Sequence, residues 1–122
     1  VPNASTSMNW IQPGFDASSW NSGNGGFGFA DGDDGTVIPT SSVSVFTRKE
    51  FTISDLSLIK KVIFNVDYDD AFVAYVNGVE VARNGITSTG QPTYNQLGEI
   101  SHEAKLYQNQ YPDFDWQEYH FS

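Results

Sequence analysis

The stretch that decides the fold is Phe72-Val73-Ala74-Tyr75-Val76-Asn77-Gly78-Val79-Glu80-Val81-Ala82-Arg83. Asn77 and Gly78 readily adopt the positive φ that both central positions of a type I′ turn require. Apolar and β-branched residues lie on both sides of them, so the sequence predicts two antiparallel strands joined by a two-residue turn. The predicted cross-strand pairs are Val76 with Val79, Tyr75 with Glu80, and Ala74 with Val81.

Two further strands are predicted ahead of this hairpin. Residues 62–68 alternate, and the members that share one face are Val62, Phe64, Val66 and Tyr68. Residues 43–53 are rich in β-branched and aromatic side chains, and the apolar members of one parity are Val43, Val45, Phe51 and Ile53. We therefore expect a long strand over 43–53 with one buried face.

Helix signals are weak, and long loops separate the strands. Residues 54–57 fit one capped turn, and Ser101 fits the cap of a short helix over 102–107. The Gly- and Asn-rich stretches 21–36 and 84–98 are of a length that is usually functional or ordered by a metal. This pattern indicates an all-β fold, an antiparallel β-sandwich or jelly roll with long loops.

Length and charge limit the class of protein. The 122 residues suffice for a single domain, which we expect over 8–122 after a linker or mature N-terminal segment over 1–7. Six basic and fifteen acidic residues give a net charge of −9, which argues against nucleic acid and anionic membranes as partners. No apolar run approaches the roughly 20 residues of a membrane span, so we expect no membrane insertion.

The residue types also restrict the chemistry. The chain has no cysteine, which excludes a disulfide scaffold, a cysteine-ligated zinc and a thiol nucleophile. No nucleophile-elbow motif is present, and His102-Glu103 lacks the second histidine of a zinc-protease helix. We therefore expect a protein that is not an enzyme. Abundant Ser, Thr, Asn, Gly and aromatic residues favour a secreted or cell-surface β-domain.

Acidic residues form two clusters. Asp31, Asp33 and Asp34 lie in the Gly-containing stretch 31–36, where carboxylates and main-chain carbonyls supply the hard oxygen ligands that calcium needs. An acidic solvated turn explains the same residues equally well. In the second cluster, 67–70, we interpret Asp70 as a structural turn residue that accepts main-chain N–H bonds, and Asn77 and Gly78 as the hairpin turn.

Aromatic residues outside the clearest strands are candidate sugar-binding residues. The apolar C–H face of a pyranose stacks on an aromatic ring, while its hydroxyls bond to Asp, Asn and Gln nearby. The candidate ligand-binding residues are Trp116, Tyr94, Tyr111 and Trp20. The alternative, that the tryptophans cap the ends of a sandwich core, is the stronger one for Trp10 and Trp20.

Several motifs together resemble those of a known family. They are Gly14-Phe15-Asp16-Ala17-Ser18-Ser19-Trp20, Gly25-Gly26-Phe27-Gly28-Phe29, residues 31–36, Phe46-Thr47-Arg48-Lys49-Glu50-Phe51, residues 67–78 and Ser101-His102-Glu103-Ala104. In this order they resemble the galactose-binding-domain-like β-sandwich modules of large secreted bacterial proteins, which include carbohydrate binders. The resemblance covers residues 8 to 111.

The resemblance implies a non-catalytic jelly-roll module with a structural calcium ion held by Asp31, Asp33, Asp34 and Thr36. We therefore expect an extracellular carbohydrate-binding accessory module whose partner is a polysaccharide or oligosaccharide. The alternative is a structural or adhesion module that mediates protein contacts in a surface assembly.

The C-terminal part departs from the family pattern. In such modules two more strands follow the His-Glu-Ala region, whereas here the sequence ends at Ser122. An incomplete sheet edge is a liability that proteins avoid. We expect either that residues 114–121 fold back as a strand, or that another polypeptide completes the sheet edge.

Overall fold

A computed structural model describes residues 1–30, 32 and 34–104, and the backbone of 117–121. Two 3₁₀ helices, Met8–Ile11 and Leu56–Leu58, account for the helix in these residues. The strands are β1 (Phe27–Gly28), β2 (Thr36–Val37), β3 (Val62–Val66), β4 (Phe72–Val76), β5 (Val79–Asn84) and β6 (Gln117–Phe121). The described chain is therefore strand and irregular backbone, and the fold is all-β.

The predicted hairpin is formed by β4 and β5. Asn77 and Gly78 make the turn with φ of 50° and 82°, and the pairs Val76–Val79 and Tyr75–Glu80 are as predicted. The pair of Ala74 with Val81 is wrong, because the register shifts between Ala74 and Tyr75 and Ala74 lies opposite Ala82. The shift is a β-bulge, and Ala82 is buried at that point of the strand.

Strand β3 follows the predicted alternation and pairs with β6. Val62, Phe64 and Val66 are half-buried, while Ile63 and Asn65 are exposed. The antiparallel register runs from Val62 opposite Phe121 to Val66 opposite Gln117. Residues 117–121 therefore fold back onto β3, which is the first of the two outcomes expected for this part of the chain.

The strand expected over residues 43–53 is absent, which corrects that prediction. Of the four residues expected on the buried face, Val43, Phe51 and Ile53 are exposed and Val45 is half-buried. Instead Phe46 stacks on Trp10, and Arg48 donates to the Trp10 carbonyl. The segment is held by these side-chain contacts; Ser44, Phe46 and Arg48 are half-buried, whereas residues 49–53 are all exposed.

The remaining small elements are local. Strands β1 and β2 pair in parallel over two residues each, rather than antiparallel. Asp55 caps the second 3₁₀ helix by accepting the N–H of Ser57 at 2.9 Å. Residues 101–104 are not helical, and the rest of the helix expected there lies outside the described residues.

Three hydrophobic residues are buried in the described part of the chain: Tyr68, Ala82 and Ile86. The Tyr68 ring stacks on His102 with centroids 4.0 Å apart, and it lies 4.8 Å from the ring of Phe72. The core thus lies between the hairpin and the connection that follows β3. The helical turns of the described residues lack the length and apolarity that a membrane crossing needs.

Candidate functional site

Trp10 is the centre of a cluster of aromatic rings. Its ring stacks on Phe46 at a centroid distance of 4.7 Å and meets Tyr75 edge-on at 6.0 Å. Ser7 caps the 3₁₀ helix that carries Trp10 by accepting the N–H of Asn9. Trp10 therefore joins the N-terminal region to residue 46 and to β4, and its ring is committed to packing.

Trp20 lies at the outer side of this cluster. Its ring centroid is 6.3 Å from that of Trp10 and 5.6 Å from that of Phe15, which it meets edge-on. Trp20 is half-buried, whereas the polar residues beside it in sequence are exposed: Asp16, Ser18, Ser19 and Asn21. We name Phe15, Asp16, Ser18, Trp20 and Asn21 the Trp20 surface.

Asp16 gives the Trp20 surface a fixed negative charge. Its Oδ1 accepts the main-chain N–H of Ser18 at 2.9 Å. The side-chain and main-chain hydrogen bonds from Ser18 lower the pKa of Asp16 below its ordinary value. The carboxylate is therefore ionised at neutral pH and has further lone pairs that can accept from a ligand hydroxyl.

Arg48 forms hydrogen bonds to main-chain carbonyls near the Trp20 surface. Its Nη1 donates to the carbonyls of Trp10 and Gln12 at 2.9 and 3.0 Å, and its Nη2 donates to Glu50 at 2.8 Å. The guanidinium carbon also lies 5.9 Å from the centre of the Phe15 ring. Sequence reasoning did not assign Arg48 or Phe15 a role in the site. The signal was available, since Arg48 is one of only six basic residues in the chain.

The loop that carries Tyr94 is tied to the same region. The Ser44 hydroxyl donates to the Tyr94 carbonyl, and Gln91 Nε2 donates to the Met8 carbonyl at 2.7 Å. Tyr94 itself is half-buried. The loop is thereby fixed against the first 3₁₀ helix. Trp116 and Tyr111, the two other candidate sugar-binding residues, lie outside the described residues.

The first acidic cluster lies beside the β1–β2 pair. Thr36 donates its hydroxyl to the Asn24 carbonyl at 2.6 Å and its main-chain N–H to the Gly26 carbonyl at 2.9 Å. The Asp34 carboxylate lies directly over Gly28, where a Cβ would clash with it. Thr36 thus bonds to two main-chain carbonyls, and the Asp34 carboxylate lies near Gly26 and Gly28; carboxylate and carbonyl oxygens are the ligand types that calcium prefers.

Asp31 and Asp33, the two other predicted calcium ligands, lie outside the described residues. Within the described part of the chain, no three side chains of the types His, Cys, Asp and Glu come together as a metal-binding group. The donors around Asp34 and Thr36 are hydroxyl and carbonyl oxygens beside one carboxylate.

Asp70 accepts a main-chain N–H bond, but from a distant residue and not from within the turn that the sequence predicts. Its Oδ1 accepts the main-chain N–H of His102 at 3.0 Å, and His102 Nδ1 lies 2.8 Å from the Tyr68 carbonyl oxygen. Gly98 packs against the Cβ of Asp70. Asp70 therefore connects the end of the β3 region to residues 98–102, some thirty residues further along the chain.

In comparisons with known proteins, no family model matched the chain, and no curated protein or solved structure matched it. The functional assignment therefore depends on the geometry described above.

Proposed function

We propose that this protein is a non-catalytic carbohydrate-binding module that contacts sugar through the Trp20 surface. The observation that carries the proposal is the position of Trp20, whose ring contacts Trp10 and Phe15 and whose neighbours in sequence are exposed polar residues. An aromatic ring that is braced on one side stacks on a pyranose at little entropic cost.

The polar residues of the Trp20 surface are suited to the hydroxyl groups of a sugar. Asp16 supplies an ionised acceptor, Ser18 a hydroxyl, and Asn21 an amide that both donates and accepts. The net charge of −9 disfavours glycans that carry carboxylates or sulfates. The ligand we propose is therefore a neutral polysaccharide or oligosaccharide.

The proposal extends to the architecture and setting of the domain. The small sheets belong to an antiparallel sandwich or jelly roll, calcium stabilises the loop around Asp34 and Thr36, and the module is extracellular. The resemblance to galactose-binding-like modules and the oxygen atoms gathered at this loop support these statements.

A glycan array probed with and without added calcium tests the proposed function. We expect binding to one or more neutral glycans. For a bound glycan, Trp20→Ala should weaken the affinity at least tenfold, and Asp16→Asn should weaken it severalfold without altering the packing of Trp20. Tryptophan fluorescence titration with the purified glycan measures both effects.

Phe51→Ala is the matched control, because Phe51 is an exposed aromatic residue that is not part of the Trp20 surface. It should bind glycan as the wild type does. Thermal melting of each variant separates loss of binding from loss of fold. The proposal is wrong if no glycan is bound under either condition, or if the control and Trp20→Ala lose affinity equally.

A further inference from the structure

Residues 49–61 expose several large apolar side chains. We name this segment the basic strip, after the lysines at its two ends. Every residue in this range is exposed. The exposed fractions reach 70% for Phe51, 74% for Leu56 and 75% for Leu58. Apolar side chains that cluster at such exposure mark a surface that another molecule covers.

Charge distinguishes the basic strip from the rest of the chain. Lys49 begins it and Lys60 and Lys61 end it, so that with Arg48 four of the six basic residues lie within fourteen positions. The Arg48 guanidinium is paired with Glu50 at 2.8 Å, so the remaining charges of the strip are three exposed lysines and one exposed carboxylate, Asp55. The strip therefore fits an apolar surface that carries negative charge.

A surface of that kind exists on the same chain. In residues 97–103, which we name the acidic strip, Leu97 and Ile100 are exposed by 66% and 53%. Glu99 and Glu103 are exposed beside them. Because the residues named in both strips are exposed, the strips do not cover each other within one molecule.

We propose that the basic strip docks onto the acidic strip of a second copy of this chain. Leucine and isoleucine side chains would be removed from water on both sides, and lysines would face glutamates. Two copies related by a two-fold axis can form both contacts at once, which gives a closed dimer. The inference is independent of the proposed sugar binding.

Sedimentation velocity of the full chain over a range of protein concentrations tests this proposal. We expect a monomer–dimer equilibrium that shifts toward monomer as salt is raised, since exposed ion pairs are screened. Lys60→Glu with Lys61→Glu should weaken dimerisation roughly tenfold or more, because like charges then face each other. Adding Glu103→Lys to that variant should restore part of the affinity.

Leu58→Ser tests the apolar part of the contact and should also weaken dimerisation. Val37→Ser is its matched control, because Val37 is 73% exposed and lies outside both strips. A wild type that stays monomeric at millimolar concentration overturns the proposal. So does a dimer that the lysine reversals leave unchanged, or a monomer whose basic strip instead binds vesicles of anionic phospholipid.

Discussion

Gly78 occupies a position that accepts no other residue without strain. Its φ is 82°, and a Cβ placed there would lie 2.5 Å from Oε1 of Gln12. The residue before it, Asn77, adopts a φ of 50°, which asparagine tolerates better than most residues do. The turn thus combines a backbone requirement with a close approach of the N-terminal region.

We predict that Gly78→Val lowers the free energy of unfolding by about 1–3 kcal/mol, because valine resists positive φ and displaces Gln12. Urea denaturation of the two proteins measures the difference. Gly25→Ala is the control, since a Cβ added at Gly25 meets open space. The stability of this variant should differ little from that of the wild type. Equal stability of wild type and Gly78→Val would falsify the strain argument.

Glu99 is a second residue whose contribution is local. Its Oε2 accepts the main-chain N–H of Thr87 at 2.8 Å and also the Thr87 hydroxyl. These two bonds lower the pKa of Glu99 below the ordinary value of 4.5. The ionised carboxylate therefore stabilises the fold at pH above about 4.5, and this contribution is lost as pH falls through the lowered pKa.

We predict that Glu99→Gln reduces the acid dependence of stability. The wild type should lose stability as pH falls below 4.5, and the variant should start from a lower melting temperature at neutral pH and lose less on acidification. Melting temperatures from pH 7 to pH 3 measure this. Thr87→Val removes the donor hydroxyl and should act in the same direction; an unchanged pH profile in both variants would contradict the assignment.

At the scale of elements, residues 43–53 show how contacts replace regular structure. The segment lacks the strand that its composition predicts, and Arg48 bonds it to the carbonyls of Trp10 and Gln12. Each of these carbonyls would lose a charged donor if Arg48 were removed. The element is therefore positioned by one guanidinium and one aromatic stack.

We predict that Arg48→Met lowers the free energy of unfolding by about 1–3 kcal/mol, because it deletes hydrogen bonds from a charged donor to two main-chain carbonyls. Lys49→Met is the matched control, since Lys49 is exposed and its substitution changes the net charge by the same amount. Chemical denaturation of both variants tests the difference. If the two variants are equally stable, Arg48 does not hold this segment.

The same elements show what the sequence can and cannot predict. The β4–β5 turn depends on adjacent residues, so Asn77 and Gly78 predict it directly. The position of residues 43–53 involves distant partners, such as the Tyr94 carbonyl, which is 50 residues from Ser44. Contacts between residues so far apart in the chain leave no periodic pattern in the amino-acid sequence. The bulge at Ala74 and the role of Arg48 escaped prediction for the same reason, whereas Trp20 was named as a candidate from its residue type, and its sugar-binding role stays a prediction.

At the scale of the molecule, bonds from side chains to the main chain hold the irregular regions. The loop around Asp34 and Thr36 is where we propose that calcium binds, because carboxylate, hydroxyl and carbonyl oxygens lie there. Binding to the native state alone raises stability through mass action, by about 2.7 kcal/mol when free ligand is at 100 times Kd.

We predict that chelation of calcium lowers the melting temperature of the whole protein, and that adding calcium back restores it. Differential scanning calorimetry measures both steps. Asp34→Asn should reduce the response to calcium, while Asp55→Asn, which alters only a helix cap, should leave the response intact. A melting temperature that is the same with and without chelator would show that the fold needs no calcium.

The bond from Gln91 to the Met8 carbonyl spans 83 residues, and this has a consequence for biosynthesis. A ribosome adds about 5–20 residues per second, so Met8 waits roughly 4–17 s after its own synthesis before its partner exists. During that time the first 3₁₀ helix lacks its bond from Gln91. The contacts of this helix are therefore completed only after translation has passed residue 91, well after Trp10 itself has been made.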